Sequence, residues 1–374
     1  MLKRIFIAEP DLGELDTTHI AEAINSGWIS NQGPSVKNFE QKFGEWLGTK
    51  YGVTTTNGTT ALHLALVTLG IGKEDEVIIP AFSMGAIPFS VFYTGAKPVL
   101  VDTDWLTWNM NTTKIENKIT KKTKAIIVMH TYGHPVDMQI VIEVAKNNGL
   151  YIIEDAAEAH GAKYQNKKVG TFGDMSCFSF YANKIITTGE GGMIVTDSSK
   201  LAERARFLGN MAFDQDPSRK FLHKQIGYNY RLTNIQASLG LAQLKRINEF
   251  IKIRRRNAKK YNHLLNDIEG IILPPEASYA KNVYWMYSIL IEKEKFGINR
   301  NNLIKILNEK YKIETRPFFV PIHQQPAFSS QYKGENYPIA ERLSNMGINL
   351  PSGNTLTERQ VEIVADAIRE IAQN

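Results

Sequence analysis

Short β-rich segments alternate with segments of helical spacing through the first two thirds of the chain, and this alternation constrains the fold more than any other feature. The predicted strands lie at residues 51–56, 76–80, 97–102, 125–130, 151–155, 177–180 and 192–196. Helix-length segments, such as residues 59–69 and 136–148, lie between several of them. Near-continuous apolar strands separated by helices predict an α/β fold whose mostly parallel sheet is covered by helices on both faces.

The last third of the chain has a different pattern, which is typical of a smaller α+β domain. Its predicted elements are a long helix, a strand, a second helix and a closing amphipathic helix, at residues 234–265, 287–291, 301–310 and after Thr357. We expect residues 1–250 to form a large domain with an N-terminal arm, and residues 251–374 to form a small C-terminal domain.

The composition indicates a soluble globular protein. Of the 374 residues, 43% are hydrophobic and 22% are charged. The single cysteine, Cys177, excludes an intramolecular disulfide framework and fits a reducing compartment. The N-terminal apolar run is too short for a signal peptide, and no apolar stretch reaches the roughly 18 residues of a membrane-spanning helix. We therefore expect a cytoplasmic protein without a membrane partner.

The formal net charge of +6 favours an anionic partner. The densest basic run consists of Lys252, Arg254, Arg255, Arg256, Lys259 and Lys260. We interpret this run as a solvated helix face, because no helix-turn-helix, RNA-binding aromatic motif or cysteine–histidine finger accompanies it. We expect no nucleic-acid partner and assign the excess charge to an anionic small molecule.

In open α/β sheets ligands bind at the carboxyl ends of the strands, so the residues that follow each strand are the candidates for a site. After the first predicted strand, Asn57, Gly58, Thr59 and Thr60 open a helix. A small-residue turn into a helix N-terminus offers free N–H groups and the positive end of the helix dipole, which together suit a phosphate. An ordinary turn with a helix cap is the alternative.

Asp155 ends the fifth predicted strand, and small residues follow it. A carboxylate held in a tight, partly buried site needs a cationic partner or several hydrogen bonds. The protonated ring nitrogen of a ligand would supply such a partner. Capping of a following helix is the alternative role for Asp155.

Lys184 follows the sixth predicted strand and precedes a glycine-rich turn at residues 189–192. Most lysines are solvated, but a lysine that is desolvated at a strand end has a lowered pKa and can form an imine with a carbonyl. The glycine run does not predict a dinucleotide site, because a strand rather than a helix follows it. A phosphate cradle, an acid and an amine at successive strand ends together indicate pyridoxal 5′-phosphate (PLP) binding.

The sequence also resembles the DegT/DnrJ/EryC1/StrS family of nucleotide-sugar aminotransferases over essentially its whole length. The segments that carry the resemblance are residues 26–30, 57–63, 154–161, 178–196, 227–234 and 314–317. The resemblance implies the fold type I architecture of aspartate aminotransferase, with PLP as the cofactor. It also implies a homodimer whose active site is shared between subunits.

The resemblance implies a role for each matching residue. Lys184 would form the Schiff base with the cofactor and later move a proton, and Asp155 would pair with the pyridine nitrogen. The other cofactor contacts would be Glu158 near the phenolic oxygen, Gly58, Thr59 and Ser179 at the phosphate, and Asn229 at the phosphate of the other subunit. Met84 stands where family members stack an aromatic ring on the cofactor. We expect Met84 to act as a softer stacking surface.

The implied reaction moves the amino group of L-glutamate to C4 of a nucleotide-linked 4-keto-6-deoxy sugar. Four segments favour GDP-4-keto-6-deoxy-D-mannose, namely residues 163–173, 226–234, 284–286 and 313–317. A dTDP- or UDP-linked 4-keto-6-deoxy-glucose is the alternative substrate. Candidate substrate contacts are Trp28, His160, Arg231, Arg316 and His323, with interdomain packing as their alternative role.

Two other functions are less compatible with these residues. Related sugar 3-dehydratases have histidine at the lysine position, so Lys184 disfavours a dehydratase. The complete set of lysine, acid and phosphate residues disfavours a non-catalytic PLP-binding regulator. We expect no metal site, because Gly133 and Pro135 break the helix that would place His130 and His134 on one ion.

Overall fold

The computed structural model describes residues 4–214 and 216–373, and the elements named below are those of this part of the chain. The strands are β1 (Tyr51–Thr55), β2 (Glu76–Pro80), β3 (Lys97–Val101), β4 (Thr123–Met129), β5 (Tyr151–Asp155), β6 (Lys163–Tyr164), β7 (Lys167–Lys168), β8 (Met175–Ser179), β9 (Gly192–Thr196), β10 (Ile271–Ile272), β11 (Ala280–Lys281), β12 (Tyr287–Ile291), β13 (Arg316–Pro317) and β14 (Gly347–Leu350). The helices are α1 (Glu14–Asn25), α2 (Pro34–Leu47), α3 (Gly58–Thr68), α4 (Ala86–Tyr93), α5 (Met138–Asn148), α6 (Ser199–Gly209), α7 (Asn234–Leu265), α8 (Lys293–Phe296), α9 (Arg300–Glu309), α10 (Pro338–Met346) and α11 (Glu358–Ala372).

The central sheet has the strand order β1-β9-β8-β5-β4-β2-β3. Pairing is parallel from β8 through β5, β4 and β2 to β3, whereas β9 runs antiparallel to both β1 and β8. Every residue of β8 and β9 is buried, as expected for strands whose two faces are both covered. The predicted α/β fold with a mostly parallel sheet is confirmed.

A second, antiparallel sheet with the order β10-β12-β14-β13 lies in the C-terminal part of the chain. Its apolar residues belong to a second buried cluster, distinct from the cluster around the central sheet. The 32-residue helix α7 connects the two clusters. Ala237 and Phe250 of α7 lie in the first cluster, whereas Tyr261 and Leu265 lie in the second.

The predicted domain boundary at position 250 falls inside α7, the helix that packs in both clusters. The division of the chain into two domains at this position stays a prediction. Ile5, which lies within the predicted large domain, pairs with Ile313 and belongs to the second cluster. The N-terminal segment therefore crosses to the C-terminal part because Ile5 completes its core.

The basic run on α7 is not a uniformly solvated face. Arg254 is only 2% exposed, so the prediction of a solvated face is wrong for this residue. Its neighbours Arg255 and Arg256 form ion pairs with Glu276 and Glu358. Neither α7 nor any other helix of the described residues is apolar over the length that a bilayer requires.

Candidate active site

A cavity of about 430 Å3 lies at the carboxyl ends of β5 and β8, beside the N-terminus of α3. The predicted site residues that line it are Gly58, Thr59, Met84, Asp155, Glu158, Ser179, Lys184 and Arg316. These residues come from separate segments of the chain, and the parallel sheet brings them together because its strands end at one edge.

The start of α3 forms a small wall of the cavity that is rich in hydrogen-bond donors. Asn57 caps the helix, since its Oδ1 accepts the N–H of Thr60 at 2.9 Å. The N–H groups of Gly58 and Thr59 lie in the first turn, where a helix provides them with no acceptor. Ser179 packs against Gly58 so closely that an added Cβ would lie 3.0 Å from Ser179 Cβ. The turn is therefore both a capped helix start and a cradle whose N–H donors suit a phosphate.

Asp155 places a buried carboxylate in the wall of the cavity. Its Oδ1 accepts the N–H of Ala157 at 3.0 Å. Burial raises the pKa of Asp155, while the hydrogen bond from Ala157 and the positive charge of Lys184 act in the opposite direction. Turns rather than a helix follow Asp155, so the alternative role as a helix cap is wrong. A cationic group of a ligand would stabilise the ionised form of this carboxyl group.

Glu158 is the second acid of the cavity, and it is also buried. Its Oε2 accepts the N–H of Tyr132 at 2.8 Å. Burial raises the pKa of Glu158 to about 7, against the opposing effects of the Lys184 charge and the bond from Tyr132. Near neutral pH this carboxyl group can therefore either donate or accept a proton.

Lys184 contributes the amine, and its Nζ lies 3.9 Å from the centre of the Trp285 ring. Burial lowers the pKa of Lys184, and the positive charge of Arg254 lowers it further. The carboxylates of Glu158 and Asp155 oppose this effect. The net lowering favours the neutral amine, which is the form that attacks a carbonyl carbon.

Glu154 precedes Asp155 in sequence but has a structural role. Its carboxylate accepts the N–H of Gly170 at 2.7 Å and lies 3.1 Å from Nε2 of His130. His134 instead accepts the N–H of Ala277 through Nε2 at 3.0 Å. Throughout residues 4–214 and 216–373, no group of His, Cys, Asp and Glu side chains is arranged to hold a metal ion.

Three predicted site residues lie on exposed segments away from the wall of this cavity. Trp28 is 54% exposed, and its carbonyl accepts a hydrogen bond from the Asn234 side chain. Arg231 Nε donates to Asn229 Oδ1 at 2.8 Å and so fixes that side chain. Contact of Trp28 and Arg231 with substrate, and of Asn229 with the phosphate of a second subunit, stay predictions.

The two histidines predicted to contact substrate do not reach the cavity wall either. His160 is fully buried among the rings of Phe43, Phe178 and Phe180, and burial lowers its pKa to about 3. It is therefore a neutral core residue in this arrangement, and direct contact with substrate is not supported. His323 lies 2.9 Å from Oε1 of Glu341 through Nε2, on a segment away from Lys184.

The structure adds cavity residues that the sequence did not reveal. They are Tyr181, Asn183, Glu190, Trp285 and Phe319, among others. Trp285 is the most consequential of them, because its indole ring covers the amine of Lys184. It lies about 100 positions from Lys184 in a different part of the fold, so no local spacing signals the contact.

The residues present fit PLP. The cradle at Gly58 and Ser179 can take a phosphate, Asp155 can pair with a protonated ring nitrogen, and the amine of Lys184 can bond to an aldehyde carbon. Met84 is half-exposed at the rim of the same cavity, where a thioether can lie against a ring. The set contains each kind of group that the cofactor needs.

Comparison with known proteins agrees with this geometry. Residues 10–369 match the DegT/DnrJ/EryC1/StrS aminotransferase family. The chain belongs to this family. The resemblance stated from the motifs is therefore confirmed, and this DegT/DnrJ/EryC1/StrS protein is a PLP-dependent sugar aminotransferase.

Its relatives match it from end to end. GDP-perosamine synthase of Escherichia coli O157:H7 is 44% identical over 369 residues, which are 99% of each protein. GDP-perosamine synthase of Caulobacter vibrioides is 42% identical, again over 99% of each. The crystal structure of S. venezuelae DesV in complex with a ketimine intermediate is 33% identical, with a TM-score of 0.89 over 98% of this chain and 99% of that one. The expected fold type I architecture is confirmed.

Proposed function

We propose that the protein transfers the amino group of L-glutamate to C4 of GDP-4-keto-6-deoxy-D-mannose and so produces GDP-perosamine. The observation that carries the chemistry is the convergence of Lys184, Asp155 and Glu158 beside the start of α3 in one cavity. The choice of GDP and of this sugar is supported by two relatives that are named GDP-perosamine synthase and match 99% of the chain.

When bound, PLP supplies an electron-withdrawing ring that stabilises negative charge on the carbon bearing the amino group. In this proposal Asp155 keeps the ring nitrogen protonated by presenting its carboxylate to it. Nζ of Lys184 would hold the cofactor at its aldehyde carbon. The amine of Lys184 would also accept and return a proton beside the reacting carbon of the substrate.

The remaining cavity residues would bind and orient the cofactor. Gly58, Thr59 and Ser179 would hold the phosphate, and Glu158 would share a proton with the phenolic oxygen. Met84 would cover the ring. The lowered pKa of Lys184 supports its role, because the neutral amine is the form that bonds to a carbonyl carbon. The raised pKa of Glu158 supports its role, because a protonated carboxyl group can share its proton with the phenolic oxygen.

The substrate would enter the cavity beside Arg316. Arg316 lines the cavity and is exposed, so its guanidinium can meet the diphosphate of a nucleotide sugar. Asn229 of a second subunit would complete the phosphate site, which makes a homodimer the functional unit. The lone thiol of Cys177 supports a cytoplasmic location.

A single-turnover reaction in the reverse direction tests the substrate. Enzyme carrying PLP is mixed separately with GDP-perosamine, dTDP-viosamine and UDP-viosamine, and conversion of the cofactor to its amine form is followed by absorbance. We expect conversion by GDP-perosamine alone. Conversion by a viosamine nucleotide alone would replace the proposed substrate.

A parallel reaction tests the amino donor and the lysine. L-glutamate should convert the cofactor faster than L-aspartate or L-alanine, and Lys184→Ala should show no conversion with any of them. Equal rates with all three amino acids would remove L-glutamate from the proposal, and full conversion by Lys184→Ala would remove Lys184.

A further inference from the structure

Arg254 is a buried cation on α7 that the proposed chemistry does not use. It is 2% exposed, and within residues 4–214 and 216–373 no carboxylate lies within ion-pair distance of it. Burial lowers its pKa to about 9. A buried charge without a counterion destabilises a fold unless its hydrogen bonds are well placed.

The guanidinium of Arg254 joins two residues of the C-terminal part of the chain. Its Nε donates to Oδ1 of Asn354 at 2.7 Å. Its Nη1 donates to the carbonyl oxygen of Trp285. One planar group thus holds a side-chain amide and a backbone carbonyl at once in a rigid fork, whereas the ammonium of a lysine is a point charge at the end of a flexible stem.

Both partners of Arg254 in turn hold the backbone on either side of Lys184. Trp285 Nε1 donates to the carbonyl oxygen of Asn183 at 3.0 Å. Asn354 Nδ2 donates to the carbonyl oxygen of Ile185 at 2.9 Å. The carbonyls of the residues before and after Lys184 are therefore both bound by residues that Arg254 binds, Trp285 through its backbone carbonyl and Asn354 through its side chain. The Trp285 ring also covers Nζ of Lys184 at 3.9 Å.

We propose that Arg254 is a positioning residue for Lys184. It binds Trp285 and Asn354, and these two residues hold the backbone carbonyls of Asn183 and Ile185 on either side of Lys184. This inference rests on the proposed function, because it takes Lys184 as the reacting amine. Loss of these hydrogen bonds would leave the Lys184 side chain free to sample positions away from the cofactor aldehyde. Such misplacement slows a reaction that depends on alignment.

The charge of Arg254 has a second effect on the same amine. The groups that face Lys184 are the carboxylates of Asp155 and Glu158, the Trp285 ring and the guanidinium of Arg254. His160 lies nearby and is neutral, since burial lowers its pKa to about 3. Arg254 therefore partly offsets the two carboxylates and favours the neutral amine.

The test measures the Lys184 amine itself in cofactor-free enzyme, so that it needs no sugar substrate. Acetic anhydride labels the protein over a series of pH values, and mass spectrometry compares Lys184 with exposed Lys200 as an internal reference. Stopped-flow absorbance gives the rate at which added PLP bonds to the protein. The variants are Arg254→Gln, Arg254→Lys and the control Arg256→Gln, since Arg256 is an exposed arginine paired with Glu358.

We expect Arg254→Gln to slow the reaction with PLP by about tenfold or more and to move the labelling midpoint of Lys184 to higher pH. Arg254→Lys should keep the labelling midpoint but still slow the reaction with PLP, because a flexible ammonium lacks the rigid fork that holds Trp285 and Asn354 together. Arg256→Gln should match wild type in both. Wild-type PLP rates in both Arg254 variants would overturn the proposal.

Two further variants keep the test decisive if Arg254→Gln fails to fold. Trp285→Phe removes the bond to Asn183, and Asn354→Ala removes the bond to Ile185, while each leaves Arg254 in place. Each should slow the reaction with PLP, and wild-type rates in both would overturn the proposal. Failure of wild-type Lys184 to bond to PLP would instead overturn the proposed function, so the two failures are distinguishable.

Discussion

Glu158 shows at the scale of one residue how the site depends on pH. Burial raises its pKa from the ordinary carboxyl value of 4.5 to about 7. Between these values the folded chain holds a proton that the unfolded chain has lost, so stability decreases as pH rises through this interval. Glu158→Gln keeps the position uncharged at every pH. At pH 8 we therefore expect the cofactor-free variant to be more stable than wild type, by up to about 3 kcal/mol.

Calorimetric melting of the cofactor-free proteins between pH 5 and pH 8 measures this difference. The gap between Glu158→Gln and wild type should widen toward pH 8 and close toward pH 5. Glu143 is exposed and serves as the control position, since Glu143→Gln should leave the pH profile unchanged. A Glu158→Gln profile parallel to wild type would show that the carboxyl group is ionised over the whole interval.

At the scale of elements, the start of α3 makes the cradle through Gly58. Gly58→Ala would bring a Cβ within 3.0 Å of Ser179 Cβ and push apart the walls that should hold the phosphate. We expect about tenfold weaker PLP binding with little change in thermal stability of the cofactor-free protein. Titration of cofactor-free enzyme with PLP gives the affinity. Gly13→Ala is the control, because an added Cβ there meets nothing within 4 Å, and equal affinities for the two variants would contradict the cradle.

The elements that carry local signals were predictable from the sequence. Predicted strands at residues 76–80, 151–155 and 192–196 agree in full with β2, β5 and β9, because buried strands read as continuous apolar runs bounded by turns. The long helix at residues 234–265 likewise agrees with α7. Strand-end motifs also located the cradle, Asp155 and Lys184 at one edge of the sheet.

Contacts between distant elements were not predictable from the sequence. Arg254 has the same sequence context as its solvated neighbours, and only the packing of α7 against Trp285 and Asn354 shows that it is buried. His160 lies close to Asp155 in sequence, yet it packs among aromatic rings away from the cavity. Side chains five positions apart or fewer can thus face opposite environments, which spacing alone does not resolve.

At the scale of the whole molecule, the proposed homodimer makes each site depend on two chains. Asn229 lies outside the cavity of its own chain, and Arg231 holds its side chain at 2.8 Å. If Asn229 contacts the phosphate in the site of the other subunit, a subunit that lacks the Lys184 amine still supplies an intact Asn229 to its partner. Two differently defective subunits should therefore restore one complete site when they associate.

Mixing Lys184→Ala with Asn229→Ala tests this dependence. Each homodimer alone should have little transaminase activity, since one lacks the amine in both sites and the other lacks the shared phosphate contact in both. Random exchange of equal amounts places half of the chains in mixed dimers with one intact site each, so activity should rise to about a quarter of the wild-type value. Activity is measured after subunit exchange at low denaturant, and wild type treated in the same way is the control. A mixture whose transaminase activity stays at the average of the two variant homodimers would show that Asn229 does not act across subunits. Activity can be restored by mixing only if each site contains residues of both chains.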